Sequence, residues 1–450
     1  MQEERPYRDG IWDERETWSR DRLSGWQLEA LRAQLGRLAE TSPFYRARFR
    51  EAGFAPGDLR DLSDLARLPF TTKDDFRDAL LPAPDYSQML SCAPDEVARV
   101  HFSSGTTGQP TPNYWSRRDL ARWSDLYARY LYAQGLRRGQ RFQCMFGYSW
   151  FVGGLGATYA AERIGALVIP GGNVDTKRQI ETLFRFDVDA VIGTPSFMAH
   201  VAETAREMGR DMRDSKVRQI GLGGEPGASV PATRRRLAES WDAAVYDCYG
   251  SLEFQPIAWD VGDGLGASLT EDFAYAEVID PQTCEPVPDG TPGVLVLTHL
   301  DKQACPLVRW WTGDMVVRRS VESPDGRTHA RLDGGVRGRA DDMLIVRGVN
   351  VFPTAVEEVV RGAAGTTGEY QIVVDPALSD PVSGSLKRLH LRVEATAEAP
   401  RDFAERLAAQ VKERLSVRAD IEVMEPGSLP RSVHKAQRIV RLPAQEHADA

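Results

Sequence analysis

Val97-Ala98-Arg99-Val100-His101-Phe102 leads directly into Ser103-Ser104-Gly105-Thr106-Thr107-Gly108-Gln109-Pro110-Thr111. The first six residues read as a short strand. The next nine read as a loop. Its glycines let the backbone turn tightly, so that N–H groups can point inward together. The hydroxyls of Ser103, Ser104, Thr106 and Thr107 add further donors. Such a loop suits phosphate oxygens. The plainer alternative is a Ser/Thr/Gly surface loop with no ligand. The loop lacks the Gly-Lys-Ser/Thr of a P-loop. A dinucleotide fingerprint is missing too, because Gly221-Leu222-Gly223-Gly224-Glu225-Pro226 has proline at its last glycine position.

Outward from this loop the pattern alternates. Downstream, Leu120, Trp123, Tyr127, Tyr130 and Leu131 share one helical face. Strand candidates follow at Phe142 to Phe146, Ala166 to Pro170, Asp189 to Gly193, Val217 to Leu222 and Ala244 to Asp247, with helices between them. That alternation, beginning with the strand at Val97, predicts an α/β fold with a largely parallel sheet. From about residue 270 to 335 the chain turns β-rich. Upstream, the first 80 or so residues read as helical and polar, with Leu28, Leu31, Leu35 and Leu38 in register. Gly338 to Asp342 reads as a polar break. The tail after it alternates helix and strand like a small α+β domain. The expected division is 1–340 for a large N-terminal domain and 341–450 for the tail.

At 450 residues, more than one core is expected. Acidic residues outnumber basic ones by 65 to 56, for a net charge of −9, which argues against a nucleic-acid partner. It does not argue against ATP, whose phosphates can be held locally by backbone amides and a metal. No run of about 18 apolar residues predicts a membrane span. Met1 to Gly10 is charged and lacks the apolar core of a signal peptide. The five cysteines are scattered, with no CxxC pair, and read as reduced thiols of a cytoplasmic protein. The seven histidines show no metal-ligand spacing.

Read in order, the short motifs resemble those of the adenylate-forming superfamily of acyl-CoA synthetases, and among them the phenylacetate-CoA ligases. Leu68-Pro69-Phe70-Thr71-Thr72-Lys73 resembles the segment ahead of the phosphate loop. Gly223-Gly224-Glu225-Pro226 is similar to the adenine-side turn. Asp247-Cys248-Tyr249-Gly250-Ser251-Leu252-Glu253 resembles the aromatic-Gly-x-Thr/Ser-Glu motif. Trp311-Thr312-Gly313-Asp314 is similar to the Thr-Gly-Asp motif. The most specific piece is Gly338-Arg339-Ala340-Asp341-Asp342-Met343-Leu344-Ile345-Val346-Arg347-Gly348-Val349-Asn350-Val351-Phe352-Pro353, close to the hinge signature.

The resemblance implies a large adenylate-forming domain of largely parallel sheets with a β-rich subdomain, followed by a mobile C-terminal domain. It implies that a carboxylic acid attacks ATP, that pyrophosphate leaves, and that the acyl group passes to coenzyme A. The phosphates would meet Ser103, Ser104, Gly105, Thr106, Thr107 and Gly108, with Thr106 also taking part in catalysis. Glu253 would hold Mg²⁺, which suits hard carboxylate and phosphate oxygens. Gly224, Glu225, Pro226, Asp247, Tyr249, Gly250 and Ser251 would line the nucleotide, with Tyr249 stacking on adenine. Asp314 would accept from the ribose hydroxyls, and Arg339 would lie near ribose and phosphate. Lys435 would bridge the two reacting anions, and Asp341 would be the hinge. Tyr148, Trp150, Phe151, Gly153, Thr194 and Pro195 would wall the acid, whose aromatic character the aryl-rich stretch suggests.

Five positions depart from the pattern. Leu252 occupies the place of a hydroxyl residue. Val433 and His434 precede the lysine, where glycine is usual next to it. Trp311 stands where arginine is common, and Gln109 where lysine often follows the loop. These departures leave open a carrier-protein thiol or an amine as acceptor, and a catalytically weak binder of nucleotide or acyl group. Oligomeric state is equally open, a homodimer included.

Overall fold

The computed structural model describes residues 6–103, 110–150, 152–347, 349–375, 379, 385–430 and 438–442. Ser104 to Gln109, Phe151, His434 and Lys435 therefore lie outside the described residues. The chain opens with α1 (Arg20–Thr41), α2 (Pro43–Glu51) and α3 (Lys73–Asp78). Leu31, Leu35 and Leu38 of α1 are fully buried against Tyr45, Phe49 and Val308, so the leucine spacing read from sequence is a core face. Thr72 caps α3 together with Asp75 in a reciprocal capping box.

β1 (Val97–Phe102) and β2 (Pro112–Ser116) form an antiparallel pair of their own. This corrects the placement of β1 at the head of the parallel sheet. Only the short loop separates the two strands, and a parallel pair would need a crossover of a dozen residues or more. The Ser/Thr/Gly loop is thus a hairpin connection. Ser103 N donates to Thr111 O at 3.0 Å and Thr111 N to Ser103 Oγ at 3.1 Å, closing its mouth.

α4 (Arg117–Ala133) then leads into the expected alternation. β3 (Arg141–Cys144), α5 (Val152–Ile164), β4 (Leu167–Pro170), α6 (Thr176–Arg185) and β5 (Ala190–Gly193) come first. α7 (Pro195–Glu207), β6 (Gln219–Gly223), α8 (Pro231–Trp241) and β7 (Ala244–Tyr249) complete it. The strands pair in parallel in the order β4-β3-β5-β6-β7. β5 and β6 are buried on every residue, as a sheet covered on both faces requires.

The β-rich stretch continues the same sheet with antiparallel strands. These are β8 (Ala258–Trp259), β9 (Ala267–Leu269), β10 (Ala274–Ile279), β11 (Pro292–His299), β12 (Trp310–Arg319) and β13 (Arg331–Leu332). Gly338 to Asp342 is more than a polar break. Gly338–Arg339 is a short strand, β14, paired with β12 so that Asp314 faces Arg339.

Beyond it lie β15 (Leu344–Val346), β16 (Val349–Val351), α9 (Pro353–Gly362), β17 (Thr366–Val374), β18 (Leu389–Ala395), α10 (Phe403–Leu415), β19 (Ala419–Met424) and β20 (Ile439–Arg441). Their apolar side chains, among them Val356, Val360, Tyr370, Leu391, Leu407 and Val411, make a core separate from those of the larger part. The tail touches α8 through polar groups. Ala232 N donates to Glu358 Oε2 at 2.7 Å. Arg361 donates to Thr233 Oγ1 at 2.8 Å, and Thr233 donates to Glu357 Oε1 at 3.0 Å. Arg236 reaches Thr367 O at 2.5 Å. No helix among the described residues is long and apolar enough to cross a membrane.

Candidate active site

The parallel strand order changes direction between β3 and β5, since the chain first adds β4 on one side of β3 and then β5 on the other. Open α/β sheets bind ligands in the crevice beyond the carboxyl ends of strands at such a point. Four sequence-predicted segments leave those ends. Tyr148 and Trp150 follow β3, Thr194 and Pro195 follow β5, Gly224 to Pro226 follow β6, and Gly250 to Glu253 follow β7.

Local chemistry fixes each of them. Thr194 caps α7 by accepting from Phe197 N at 3.2 Å, with Pro195 at the first helical position. Ser196 N donates to Glu225 Oε1 at 2.9 Å, tying the β5 and β6 loops together. The Glu225 carboxylate is thus held against the start of α7. Phe146 fills a seat made by glycines. A Cβ on Gly153 would stand 3.5 Å from its ring, and one on Gly223 3.8 Å from its tip. The Tyr148 hydroxyl lies 2.5 Å from Thr158 Oγ1. Trp150 is 60% exposed, and its carbonyl accepts from Phe102 N at 3.1 Å. The aromatic loop is therefore bonded to the hairpin that carries the phosphate-loop candidate.

Opposite it, residues distant in sequence form one bonded chain. The Tyr249 hydroxyl donates to Asp314 Oδ2 at 2.5 Å. Arg339 Nη1 stands 3.4 Å from Asp314 Oδ1, and its Nε donates to Asp341 Oδ1 at 2.8 Å. The β12–β14 pairing places these groups. Gly313, at φ +76, is required here, since a Cβ would stand 2.7 Å from Arg339 Nη2. Burial, the field of Asp314 and its hydrogen bond push the Tyr249 phenol well up, so it remains a donor.

Past β7, Ser251 Oγ accepts from Phe254 N at 3.1 Å within a turn. Leu252, the residue in place of the expected hydroxyl, packs into the aromatic cluster of Trp115, Trp123 and Tyr127. Glu253 is 8% exposed, and its carboxylate has no hydrogen-bond or ion-pair partner among the described residues. No cluster of three metal-binding side chains exists among the described residues. A single unpaired carboxylate still fits Mg²⁺, which commonly takes one or two carboxylates and completes its shell with phosphate and water.

Asp247 is a buried residue of β7, two before Tyr249. Burial first, and then the neighbouring Asp260, push its carboxyl up to about 7, against the opposing pull of Arg234. The folded state therefore favours the protonated acid. Relative to an unfolded carboxyl near about 3.9, the fold loses stability as pH climbs from about 4 to about 7. Asp247→Asn is expected to stabilise the chain above pH ~7 by a few kcal/mol, with no gain near pH ~4. Thermal melts of both chains at the two pH values check this. An equal gain at both would contradict it.

Sequence reading missed Phe146 as a site residue, and also Asp260, whose carboxylate binds Arg234 beside Asp247. The sequence marked Phe146 as the end of the strand candidate Phe142 to Phe146. Only the fold shows it seated between Gly153 and Gly223.

Comparison with known proteins agrees with this layout. The AMP-binding enzyme profile matches residues 54–299, and the AMP-binding enzyme C-terminal domain profile matches residues 348–442. The phenylacetate-coenzyme A ligase of Thermus thermophilus is 36% identical, over 95% of this chain and 98% of its own. That of Pseudomonas putida is 37% identical, over 94% and 95% respectively. Among solved structures, 2-hydroxyisobutyryl-CoA ligase in its postadenylation state with R3-HIB-AMP overlays with TM-score 0.90 at 31% identity, covering 97% of this chain and 93% of that one. The same enzyme in its thioesterification state, with 2-HIB-AMP and CoA, covers the same shares at 32% identity but with TM-score 0.73. On its sequence, fold and converging motifs, the chain belongs to the AMP-binding enzyme family, among its AMP-forming acid–coenzyme A ligases.

Proposed function

We propose that this ligase takes an aromatic carboxylic acid, with ATP and Mg²⁺ in the first half-reaction and coenzyme A in the second. The observation that carries the reading is the Tyr249–Asp314–Arg339 chain, which bonds three of the motifs together, with the buried Glu253 four residues past Tyr249. In the first step the acid's carboxylate oxygen attacks the α-phosphorus and pyrophosphate leaves. Asp314 accepts from the ribose hydroxyls, because an ionised carboxylate is an acceptor only. Arg339 lies beside the same sugar and phosphate. Glu253 would hold Mg²⁺, whose charge offsets the charge on the phosphate oxygens. The phosphate loop supplies donors from Ser103 to Gly108.

In the second step the thiol sulfur attacks the acyl carbon and AMP leaves. This needs other groups at the same carbon. The tail supplies them by turning about Asp341, a hinge motion between two packings. The better overlay on the postadenylation state than on the thioesterification state supports reading the present arrangement as the adenylation side. The aromatic preference rests on the Phe146 seat and Tyr148, which offer flat apolar walls.

The test is ATP–pyrophosphate exchange with arylacetic, benzoic and short aliphatic acids, each with and without coenzyme A, and with product masses recorded. Exchange strongest with an aryl acid, plus an acyl-CoA mass on adding the thiol, is expected. Exchange without thioester would point to another acceptor. Preference for a small aliphatic acid would overturn the aromatic assignment alone.

A further inference from the structure

The helix α8 begins without a cap of its own. Ser116, Asp175 and Thr194 cap α4, α6 and α7 from their own N-cap positions. At α8 that position holds Val230, which is buried and offers no side-chain oxygen. Pro231, at the first helical position, has no N–H to satisfy. The next amide, Ala232 N, is one that an N-cap oxygen ordinarily serves. Here it donates to Glu358 Oε2 at 2.7 Å, a carboxylate carried by α9 in the tail, 126 residues away. A negative charge also suits the positive end of the helix dipole.

The same face of α8 makes the other contacts to the tail. Thr233 donates to Glu357 Oε1 at 3.0 Å, and Arg236, one turn on from Ala232, donates to Thr367 O at 2.5 Å. Gly368, at φ +95, leaves room for that guanidinium, since a Cβ there would stand 3.1 Å from Arg236 Cζ. The start of α8 is also tied to the turn at Gly224 to Pro226. Val230 N donates to Gly227 O at 2.9 Å, and Arg234 Nε, within α8, donates to Ala228 O at 2.7 Å. On its other side the turn is held by Ser196 N, which donates to Glu225. The α8 side of the turn is therefore as ordered as the first turn of the helix, and a helix end whose amides lack acceptors frays.

We infer that Glu358 is a positioning residue, a helix cap lent to α8 by the tail, through which the place of the tail sets the order of the nucleotide-side turn. This rests on the reading that Gly224 to Pro226 line the nucleotide and that the tail turns between the half-reactions. With the tail docked on α8, the carboxylate completes the helix and stiffens the turn for ATP. When the tail turns for thiolysis, the carboxylate leaves Ala232 N, and the hold on AMP weakens at the step that releases it. Linkage makes the effect mutual: bound nucleotide favours the docked tail by the same factor. A cap of this kind shifts a local equilibrium by about two- to thirtyfold.

The experiment compares intact chains by ATP affinity from calorimetry, ATP–pyrophosphate exchange, thiolysis of a supplied acyl-adenylate by coenzyme A, and amide hydrogen exchange. Glu358→Ala is expected to weaken ATP about fivefold and pyrophosphate exchange about tenfold, with thiolysis within about twofold of wild type. Amides of residues 224–236 are expected to exchange about fivefold faster in that variant. Val230→Thr keeps the side-chain shape and adds an N-cap hydroxyl, so α8 then carries its own cap. Glu358→Ala combined with Val230→Thr is expected to bind ATP within about twofold of wild type, while pyrophosphate exchange stays low because the tail contact is still missing. If Glu358 only fastened the tail, Val230→Thr would restore nothing, and unchanged amide exchange in Glu358→Ala would accompany it. Either result would overturn the inference. Equal losses in adenylation and thiolysis would do the same, since they would mark a support of the tail's own fold. A wild-type chain without acid-dependent pyrophosphate exchange would overturn this inference and the functional reading together. An active wild type with ATP affinity and amide protection unchanged in Glu358→Ala would remove only the cap.

Discussion

In an Asp314→Ala chain, ATP–pyrophosphate exchange falls by about 10²–10³-fold, carried mainly by a higher KM for ATP. Charge-assisted hydrogen bonds are worth about 1.5–3 kcal/mol each, and two ribose hydroxyls would lose theirs together. A second loss follows from the fold. The Tyr249 hydroxyl, now donating to Asp314 at 2.5 Å, would lose that acceptor. Arg339 would keep Asp341, at 2.8 Å, as its remaining acid. The adenine face and the ribose face therefore loosen at once. Kinetics at varied ATP and fixed acid check the expectation. A rate within about fivefold of wild type at low ATP would remove Asp314 from the ribose.

Lys435→Ala is expected to lower adenylation by at least about 10²-fold and to leave ATP binding within a few-fold. The acid's carboxylate and the α-phosphate are both anionic as they approach. A cation about 4 Å from each, at the effective dielectric of a protein surface, offsets about 4 kcal/mol of that encounter. Lys435 lies outside the described residues, yet the strand that begins four residues on from it is firmly held. Arg438 binds Glu369 at 2.7 Å and stands over the Tyr370 ring, and β20 pairs in parallel with β17. Thiolysis of an acyl-adenylate supplied from outside should change far less than its formation. Equal losses in both half-reactions would mean that Lys435 supports the fold of the tail and not the first step.

The sheet was legible because its strands are short apolar runs separated by amphipathic helices, a pattern carried by each segment on its own. The motifs were legible for a similar reason: glycine at 313 and proline at 195 mark where the backbone turns. What joins them was not. Tyr249 and Asp314 are 65 residues apart, and Ala232 and Glu358 are 126 apart. No local period encodes such a meeting. Strands of two or three residues, such as β8, β13 and β14, are too short to show alternation at all. β1 misled because a strand ahead of a glycine loop reads the same whether the chain crosses over or doubles back.

The contact between the tail and α8 has a thermal consequence. It is made of Glu358, Glu357, Arg361, Thr233 and Arg236 with backbone groups, and the apolar core of the tail does not extend across it. Parting such a surface exposes little hydrocarbon, so the separation carries a small heat-capacity change. An equilibrium of that kind drifts little between cold and warm conditions. A catalytic cycle paced by this separation would keep its balance of half-reactions over a wide temperature range.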